Sequence, residues 1–529
     1  VEHVEVRAGR HRIEPAIPNP DEREQMLYYV PFTDAIRYLR PFPAMFTAQL
    51  GVFERASKIP AEQRSAEDWL IIAEAGAEIA TPAERLDALK RADSLSLTLA
   101  QHARVLLVDG LMAAQDDHWD VALRQLSAAL PVLDERRREL AEAAMRLASI
   151  ASGSATGETQ PDEPTTAAGL LGRAYLAAYE GDLDLALDIV RKGESLYPDN
   201  ADFADLQGSI GLLRGDRALL VDAMHRGTAA EPNHPGILLL SAHVKSEYFG
   251  DYEAAIRDAQ RAVALVPGNS LAWDILGSVQ ARAGLRHAAA LSFKRGLAAD
   301  PNDATLRDNY AVLLLDWNRI EEAKKQLDRA LGADPEQTLT HLYRGRALIQ
   351  ESKFDAALEE LLASSTANPT DAQTLLLLGY TYYRLGDTQA AMQQLDLAER
   401  YDPHSPYPDA LRSLLLGEDR DAGGSVRSSR SAVKRNEALA GTRLPGTAAE
   451  FPDQLFANSL RDVGLGEWSR FLAERSFDPF DATSYFERAA NERPSPYVAD
   501  RGSLERVSSA DMAFFRDPPI VPQVVSPAA

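Results

Sequence analysis

Apolar and polar positions in the middle of the chain follow a repeat that prolines mark at nearly equal intervals. The prolines are Pro198, Pro232, Pro267, Pro301, Pro335, Pro369 and Pro403. All intervals have the same length except the one from Pro232 to Pro267, which is a single residue longer. Between successive prolines, apolar residues return every three or four positions in two separate stretches, as along one face of an α-helix. The pattern therefore predicts pairs of helices, each closed by a proline that cannot continue a helix interior.

The clearest unit reads LAWDILGSVQARAGLRHAAALSFKRGLAADP and ends at Pro301. Small residues at Gly277 and Ala289 let the two helices approach closely, and Phe293 fills the seam between them. Gly284 relaxes the backbone at the turn between the helices. One such pair cannot bury its apolar face alone, so neighbouring pairs must stack on each other.

These residues and their spacing resemble the tetratricopeptide repeat, over seven units from about Ala168 to Asp402. The resemblance implies an all-α fold, a right-handed α-solenoid of helix-turn-helix repeats with irregular helical flanks.

Four positions depart from the repeat pattern. His243 replaces a small residue in the third unit, and Leu220 replaces an alanine in the second. Asn318 and Ser352 stand where the turn glycine is usual. We expect the packing to adjust locally at these positions while the fold is kept.

The flanks carry weaker patterns and, with the array, divide the chain into six segments. We predict an N-terminal hairpin and aromatic-rich cap at 1–60, degenerate repeat-like helices at 61–150, a flexible linker at 151–167, seven repeat units at 168–403, a loop at 404–445, and a degenerate helical cap with an extended proline-rich tail at 446–529.

Alternating valines near the N-terminus predict a hairpin that turns at Ala8–Gly9. Residues 100–132 have repeat spacing without a closing proline, and Pro82 starts the second helix of an earlier pair. Between them and the hairpin, five aromatic residues favour a cap on the end of the solenoid, with a protein-docking patch as the alternative: Tyr28, Tyr29, Phe32, Tyr38 and Phe42.

The 529 residues include 56 basic and 79 acidic side chains, which give a net charge of −23. A surface this acidic repels phosphate backbones and argues against nucleic acid as a partner. Cysteine is absent, which excludes disulfides and thiolate ligands and fits an oxidising compartment. No stretch reaches 18 consecutive apolar residues, the length that a membrane-spanning helix needs. Because the chain begins at Val1, we expect a removed leader or a longer parent polypeptide.

No constellation of residues predicts catalysis. The chain has no glycine-rich phosphate loop, no HExxH pair and no GxSxG elbow. Its ten histidines show no metal-ligand spacing. Paired carboxylates such as Glu321 and Glu322 lie on second helices, which face solvent in this kind of repeat. We therefore predict a protein that is not an enzyme and has no catalytic residue, cofactor or metal.

The resemblance implies instead that ligands are chosen on the concave side, by exposed positions of the first helix of each unit. Carried over unit by unit, these partner-binding positions are Asp274, Arg282, Asp308, Asn309, Val312, Tyr343, Arg346, Gln350, Tyr380, Tyr383 and Arg384. Asparagine, arginine and tyrosine can hydrogen-bond an extended peptide. Asn309 and Arg346 resemble part of the carboxylate clamp of chaperone-binding relatives, but no lysine completes it.

A second resemblance rests on short stretches in order along the chain: VEVRAGRHRIEPA, YYVP, DPHSPYP, LRDVGLGEW and SLERVSSADMAFFRDPP. They are similar to stretches of large bacterial envelope proteins that join a repeat array to a C-terminal outer-membrane β-barrel. The resemblance implies a periplasmic or outer-membrane location, with a barrel as a possible partner in cis or in trans; a cytoplasmic location is the alternative.

The leading hypothesis is a non-enzymatic scaffold that binds protein segments in its groove, within a bacterial periplasmic, outer-membrane or surface assembly. One alternative is the substrate-selecting arm of a larger enzyme, such as a glycosyltransferase. Another is a structural subunit that assembles with copies of itself.

Overall fold

The protein is an array of paired α-helices preceded by a small hairpin. The computed structural model describes residues 6–8, 11–13, 46–75, 79–115, 118–152, 164, 166–179, 181–214, 216–333, 338–440 and 459–460. The predicted aromatic cap, most of the predicted linker and almost all of the predicted C-terminal segment lie outside these residues. Twenty-two α-helices fall within the described part of the chain.

A short hairpin lies near the N-terminus. Strand β1 (Val6–Ala8) pairs antiparallel with β2 (His11–Ile13), and Val6 lies opposite Ile13. Ala8 faces His11 across the last pair. The connection between the strands therefore lies between Ala8 and His11, one residue further along the chain than the predicted turn at Ala8–Gly9.

Six α-helices precede the array in the part of the chain that the structure describes. They are α1 (Phe46–Lys58), α2 (Ala66–Glu74), α3 (Pro82–Asp93), α4 (Leu99–Gln115), α5 (Trp119–Ala129) and α6 (Glu135–Ala151), with short 3₁₀ turns at Ala61–Gln63 and Leu130–Val132. Pro82 begins α3 behind a capping box formed by Thr81 and Glu84, as its fixed φ allows. Helices α4 and α5 form the degenerate pair expected at 100–132.

The seven predicted repeat units appear as seven helix pairs. The first helices are α7 (Ala167–Tyr179), α9 (Asp202–Arg214), α11 (Pro235–Tyr248), α13 (Ser270–Arg282), α15 (Ala304–Asp316), α17 (Thr338–Gln350) and α19 (Ala372–Arg384). The second helices are α8 (Leu183–Leu196), α10 (Arg217–Ala230), α12 (Tyr252–Leu265), α14 (Arg286–Ala299), α16 (Ile320–Ala333), α18 (Phe354–Ala367) and α20 (Thr388–Tyr401).

The loop predicted at 404–445 is wrong over residues 407–440, because these residues form an eighth helix pair. Helix α21 (Tyr407–Glu418) packs against α22 (Ala422–Ala440). The glycine and serine content favoured a loop, but the serines are buried and satisfied within the pair. Ser413 Oγ donates to the main-chain oxygen of Ser425 at 2.9 Å, and Ser429 Oγ donates to the same oxygen at 2.9 Å. Hydrogen-bonded in this way, serine acts as a small core residue.

The repeat positions pack as the pattern predicts. A Cβ added at Gly277 would lie 2.7 Å from Cε1 of Phe293, which is itself 1% exposed, so only glycine fits there. In the second unit Leu220 takes the place of the small residue, and Gly211 leaves room for it: a Cβ at Gly211 would lie 3.1 Å from Leu220 Cγ. The size change on one helix is thus compensated on the other.

The turns between paired helices share a left-handed backbone. Gly284 has φ of 77° and Gly386 has φ of 89°. Asn318 and Ser352 adopt the same conformation, with φ of 57° and 59°, although side chains rarely favour it. The turn geometry is therefore kept in the two units that lack the glycine.

The described residues form two compact units. The first comprises residues up to Ser246 and from Asp251 to Leu306, and the second comprises Glu247–Gly250 and the residues from Arg307 onward. In the first unit, Ala75 and Ile79 from the N-terminal helices share one apolar core with repeat residues far along the chain, among them Leu238, Leu239, Ala242, Ile275, Leu276 and Val279.

A close main-chain approach accompanies this shared core. A Cβ at Gly268 would lie 3.0 Å from the main-chain nitrogen of Thr81. The N-terminal helices thus pack against the third and fourth repeats, a contact that no repeat pattern predicts.

None of the described helices has both the length and the apolar content needed to cross a membrane. In the described part of the chain, no group of three or more histidine, aspartate or glutamate side chains is arranged to hold a metal ion.

Candidate partner-binding face

The first helices place the eleven predicted partner-binding residues in two settings. Asp274 and Arg282 belong to the first compact unit, and the other nine belong to the second. Six of the eleven are less than a tenth exposed: Asp274, Asp308, Asn309, Val312, Tyr343 and Arg346. These six side chains are therefore not open to a partner, although the repeat spacing places them among the exposed first-helix positions.

The buried positions make contacts between neighbouring first helices. Asp308, with no exposed surface, accepts hydrogen bonds from Thr340 Oγ1 at 2.9 and 2.8 Å. Arg346, 1% exposed, donates from Nη2 to Asp316, and the two form an ion pair. Tyr343 is also 1% exposed. These polar side chains join successive units, a role that the repeat spacing alone does not distinguish from ligand binding.

Four predicted residues of the second compact unit remain half-exposed. We call the surface that they form the α17–α19 face: Gln350, Tyr380, Tyr383 and Arg384. Gln350 ends α17, and the other three lie in the last turns of α19. Gln350 and Arg384 are one repeat period apart and so occupy equivalent positions in successive units. Of the two predicted residues in the first unit, only Arg282 is half-exposed.

Arg384 is held in place by aromatic rings. Its Nη1 donates to the hydroxyl oxygen of Tyr380 at 2.7 Å, one turn back along α19. Its guanidinium carbon lies 4.4 Å from the ring centre of Phe354 and 5.7 Å from that of Tyr380. The two rings meet edge to face, with centres 6.5 Å apart. Cation–π contacts of this kind orient a guanidinium and limit its rotamer freedom.

Phe354 was not among the predicted site residues. It begins α18, a second helix, and second helices were assigned to the solvent side. The repeat spacing offers no signal either, because the equivalent positions are Ile320 and Thr388. Only the packing of α18 against α19 brings Phe354 to this face.

Gln350 is half-exposed as a residue, but its amide oxygen is buried. Its Nε2 lies 3.5 Å from the main-chain oxygen of Leu315, and its Oε1 has no hydrogen-bond donor among the described residues. The tyrosine side chains and Arg384 therefore supply the hydrogen-bonding groups of the α17–α19 face, beside aromatic surface. Such a mixture suits recognition of a polypeptide.

The start of α19 is fixed by Asp371. Its carboxylate accepts hydrogen bonds from the main-chain nitrogen of Thr374 at 2.8 Å and from the Thr374 hydroxyl. Burial raises the pKa of the Asp371 carboxyl above its ordinary value, against the lowering effect of these hydrogen bonds. The helix that carries most of the face is therefore capped at an energetic cost when the carboxyl is charged.

We expect Asp371→Asn to be more stable than the wild type at pH 7, because asparagine caps the helix without the partly desolvated charge of the half-buried Asp371 carboxylate. A raised folded-state pKa means that stability is lost as pH rises from the ordinary aspartate value through the folded-state value. The advantage of Asp371→Asn should therefore shrink as pH falls and vanish below the ordinary aspartate pKa. Urea unfolding of both proteins between pH 3.5 and 7 measures it.

Asp371→Ala is the control for the cap itself. It removes the hydrogen bond as well as the charge and should be about 1 kcal/mol less stable than Asp371→Asn at every pH. Equal stability of the alanine and asparagine variants would contradict the capping role.

Comparison with protein families agrees with the helix pairs. Residues 247–304, 311–372 and 348–415 match models described as tetratricopeptide repeat. The protein therefore contains tetratricopeptide repeats, and its fold is an α-solenoid of these units. Tetratricopeptide repeats are generally non-catalytic modules for protein interaction.

Curated relatives match over shorter stretches. Anaphase-promoting complex subunit 3 of Schizosaccharomyces pombe is 23% identical over 39% of this chain and 31% of that protein. Protein FlbA of Caulobacter vibrioides is 30% identical over 32% of this chain and 28% of its own. Cellulose synthase operon protein C of Escherichia coli is 29% identical over 20% of this chain and 9% of its own. The matches thus span less than a third of each relative.

Among solved structures, the APC/C hetero-tetramer Cut9–Hcn1 covers 78% of this chain and 87% of its own, at 14% identity and a TM-score of 0.48. The type IV pilus biogenesis factor PilW covers 39% of this chain and 92% of its own, at 21% identity and a TM-score of 0.32.

Proposed function

We propose that this protein is a non-enzymatic scaffold that binds a segment of a partner protein on the α17–α19 face. The observation that carries the proposal is the exposure of this face while its neighbours are buried. Tyr380, Tyr383 and Arg384 are half-exposed, whereas Arg346 in the preceding unit is 1% exposed. Tyrosine and arginine are the residue types that dominate interface energetics.

The proposed setting is a bacterial periplasmic, outer-membrane or surface assembly. Support comes from the absence of cysteine and from the resemblance of the flanking stretches to envelope proteins with an outer-membrane barrel. Two curated relatives are bacterial, and one is named for a cellulose synthase operon. A barrel, in cis or in trans, belongs to this proposal.

The operon name also favours a second candidate, the substrate-selecting arm of a larger polysaccharide-synthesising machine. In that case the face would contact a polymer or a catalytic partner. The two candidates differ in what the face touches, so a contact experiment separates them.

The test is partner capture from the cells that make the protein. A full-length variant with Tyr380, Tyr383 and Arg384 replaced by alanine is compared with the wild type by affinity capture after cross-linking. The matched control replaces three exposed residues of α20 by alanine, Gln389, Gln393 and Arg400. We expect the first variant to lose partner proteins that the control keeps, since only the first removes side chains from the face.

Other outcomes are equally informative. Retention of every partner by the face variant would overturn the proposed site. Capture of a polysaccharide or a catalytic subunit, lost only in the face variant, would favour the second candidate, and capture of further copies of this chain would indicate self-assembly. Fractionation of the same cells tests the setting: recovery only in the soluble cytosolic fraction would contradict an envelope location.

A further inference from the structure

Arg384 is a cation without an acidic partner among the described residues of a chain that is rich in acids. The chain carries 79 acidic side chains against 56 basic ones, yet no carboxylate of the described part forms an ion pair with Arg384. Several other arginines of the second compact unit form such pairs: Arg319 with Glu322, Arg344 with Glu360, Arg346 with Asp316, and Arg412 with Asp396. Arg384 differs from exposed arginines without such a pair, such as Arg400, because it is only half-exposed and is held by aromatic rings.

The free donors of Arg384 lie on a guanidinium that is already oriented. Nη1 is engaged by the Tyr380 hydroxyl, and the ring of Phe354 lies 4.4 Å from the guanidinium carbon. Nε and Nη2 donate no hydrogen bond within the described part of the chain, and the side chain is half-exposed. These two nitrogens form the edge of the guanidinium that pairs with both oxygens of a carboxylate.

The equivalent positions in successive units explain why no carboxylate of the described repeats fills this edge. Asp316, at the end of α15, pairs with Arg346 in the next unit. Arg384 lies two repeat periods after Asp316 and so occupies the same repeat position. A positive side chain therefore stands there in place of a negative one. The residue that follows Arg384 at the distance at which Arg346 follows Asp316 is Leu414 rather than an acid.

We infer that Arg384 binds a carboxylate of the partner, so that the segment recognised on the α17–α19 face is acidic. This inference rests on the proposed function and narrows it to one partner chemistry, a polypeptide segment with an aspartate, a glutamate or a terminal carboxylate. A single guanidinium can donate from Nε and Nη2 to the two oxygens of one carboxylate.

The experiment selects peptides on the full-length protein from two phage-displayed dodecapeptide libraries, one with a free C-terminus and one with a blocked C-terminus. We expect enriched peptides to carry an acidic group at one fixed position. Enrichment from both libraries would indicate an acidic side chain, and enrichment from the free-terminus library alone would indicate a terminal carboxylate. Enriched peptides without an acidic position, or no enrichment, would overturn the inference.

A double-mutant cycle on one enriched peptide then tests the direct pair by fluorescence anisotropy. Arg384→Gln and the neutral version of the peptide should each weaken binding about tenfold or more, and together they should weaken it little further. Arg384→Lys keeps the charge but cannot donate two parallel hydrogen bonds to one carboxylate. Its affinity for the peptide should therefore lie between those of the wild type and Arg384→Gln. Losses that multiply in the double variant would overturn a direct contact.

The matched control is Arg400→Gln, which removes the same charge from an exposed position on α20. It should leave peptide binding unchanged, and an equal loss in both variants would show a general charge effect and overturn the inference. Melting curves identify any variant that fails to fold. Failure of the inference is distinct from failure of the proposed function, because the latter is read from capture of native partners.

Discussion

Replacing Asp316 by leucine is expected to lower the free energy of unfolding by about 3–5 kcal/mol, as breaking a buried ion pair does. The reason is that the substitution leaves the buried guanidinium of Arg346 without its carboxylate partner. Arg346 is 1% exposed, and its Nε and Nη1 already lack acceptors among the described residues, so Asp316 is the carboxylate that compensates it. Without that carboxylate, a charged guanidinium stays buried. Urea unfolding measures the loss, and hydrogen exchange over residues 304–350 locates it.

Replacing Arg346 by methionine is expected to lower the free energy of unfolding by less than Asp316→Leu does. The side chain of Asp316 is 17% exposed, so after Arg346→Met its carboxylate can still reach water. Combining Asp316→Leu with Arg346→Met replaces the pair by apolar side chains and should restore most of the lost stability. A double variant no more stable than Asp316→Leu alone would show that the ion pair is not the cause.

Phe293→Ala is expected to have the second large effect on stability. It should lower the free energy of unfolding by about 3–5 kcal/mol, because it leaves a cavity. Phe293 is 1% exposed and fills the seam between α13 and α14. Gly277→Ala should also destabilise, by about 1–3 kcal/mol, because its new methyl would lie 2.7 Å from the Phe293 ring. Urea unfolding of the single variants and their combination measures how strongly the two positions are coupled.

The combination should be less destabilised than the sum of the two single losses, because the alanine methyl occupies part of the space the ring vacates. Gly332→Ala is the control for the helix-forming effect of alanine. A Cβ at Gly332 would have no atom of the described residues within 4 Å, so Gly332→Ala should raise the free energy of unfolding by about 0.5–1 kcal/mol. Simple additivity at Gly277 and Phe293 would contradict the close contact.

The repeat pattern predicted the helix pairs because it reflects local and nearest-neighbour packing. Glycine at position 277 and phenylalanine at position 293 belong to one pair, and their contact lies within a single period. The pattern was less successful where it lost its prolines. Helices α21 and α22 follow the last registered proline, and their buried serines gave no apolar signal.

The candidate site, too, could be predicted only in part from the sequence. Spacing identified the first-helix positions, but it could not distinguish the buried Arg346 from the half-exposed Arg384, since both are arginines near the end of a first helix. The difference arises from neighbours. Asp316 reaches Arg346 from the preceding unit, and Phe354 reaches Arg384 from a second helix.

The sequence by itself determined the class of fold, the paired helices of the central repeats, and the acidic character of the chain. These properties depend on residues within one repeat period or on simple composition, so the sequence alone is enough to predict them. Tertiary structure alone decided which polar positions are buried, which ring supports Arg384, and that Ala75 and Ile79 share a core with Leu238 and Ile275. These contacts join residues that are distant in sequence or lie on different helix faces, where periodicity carries no information.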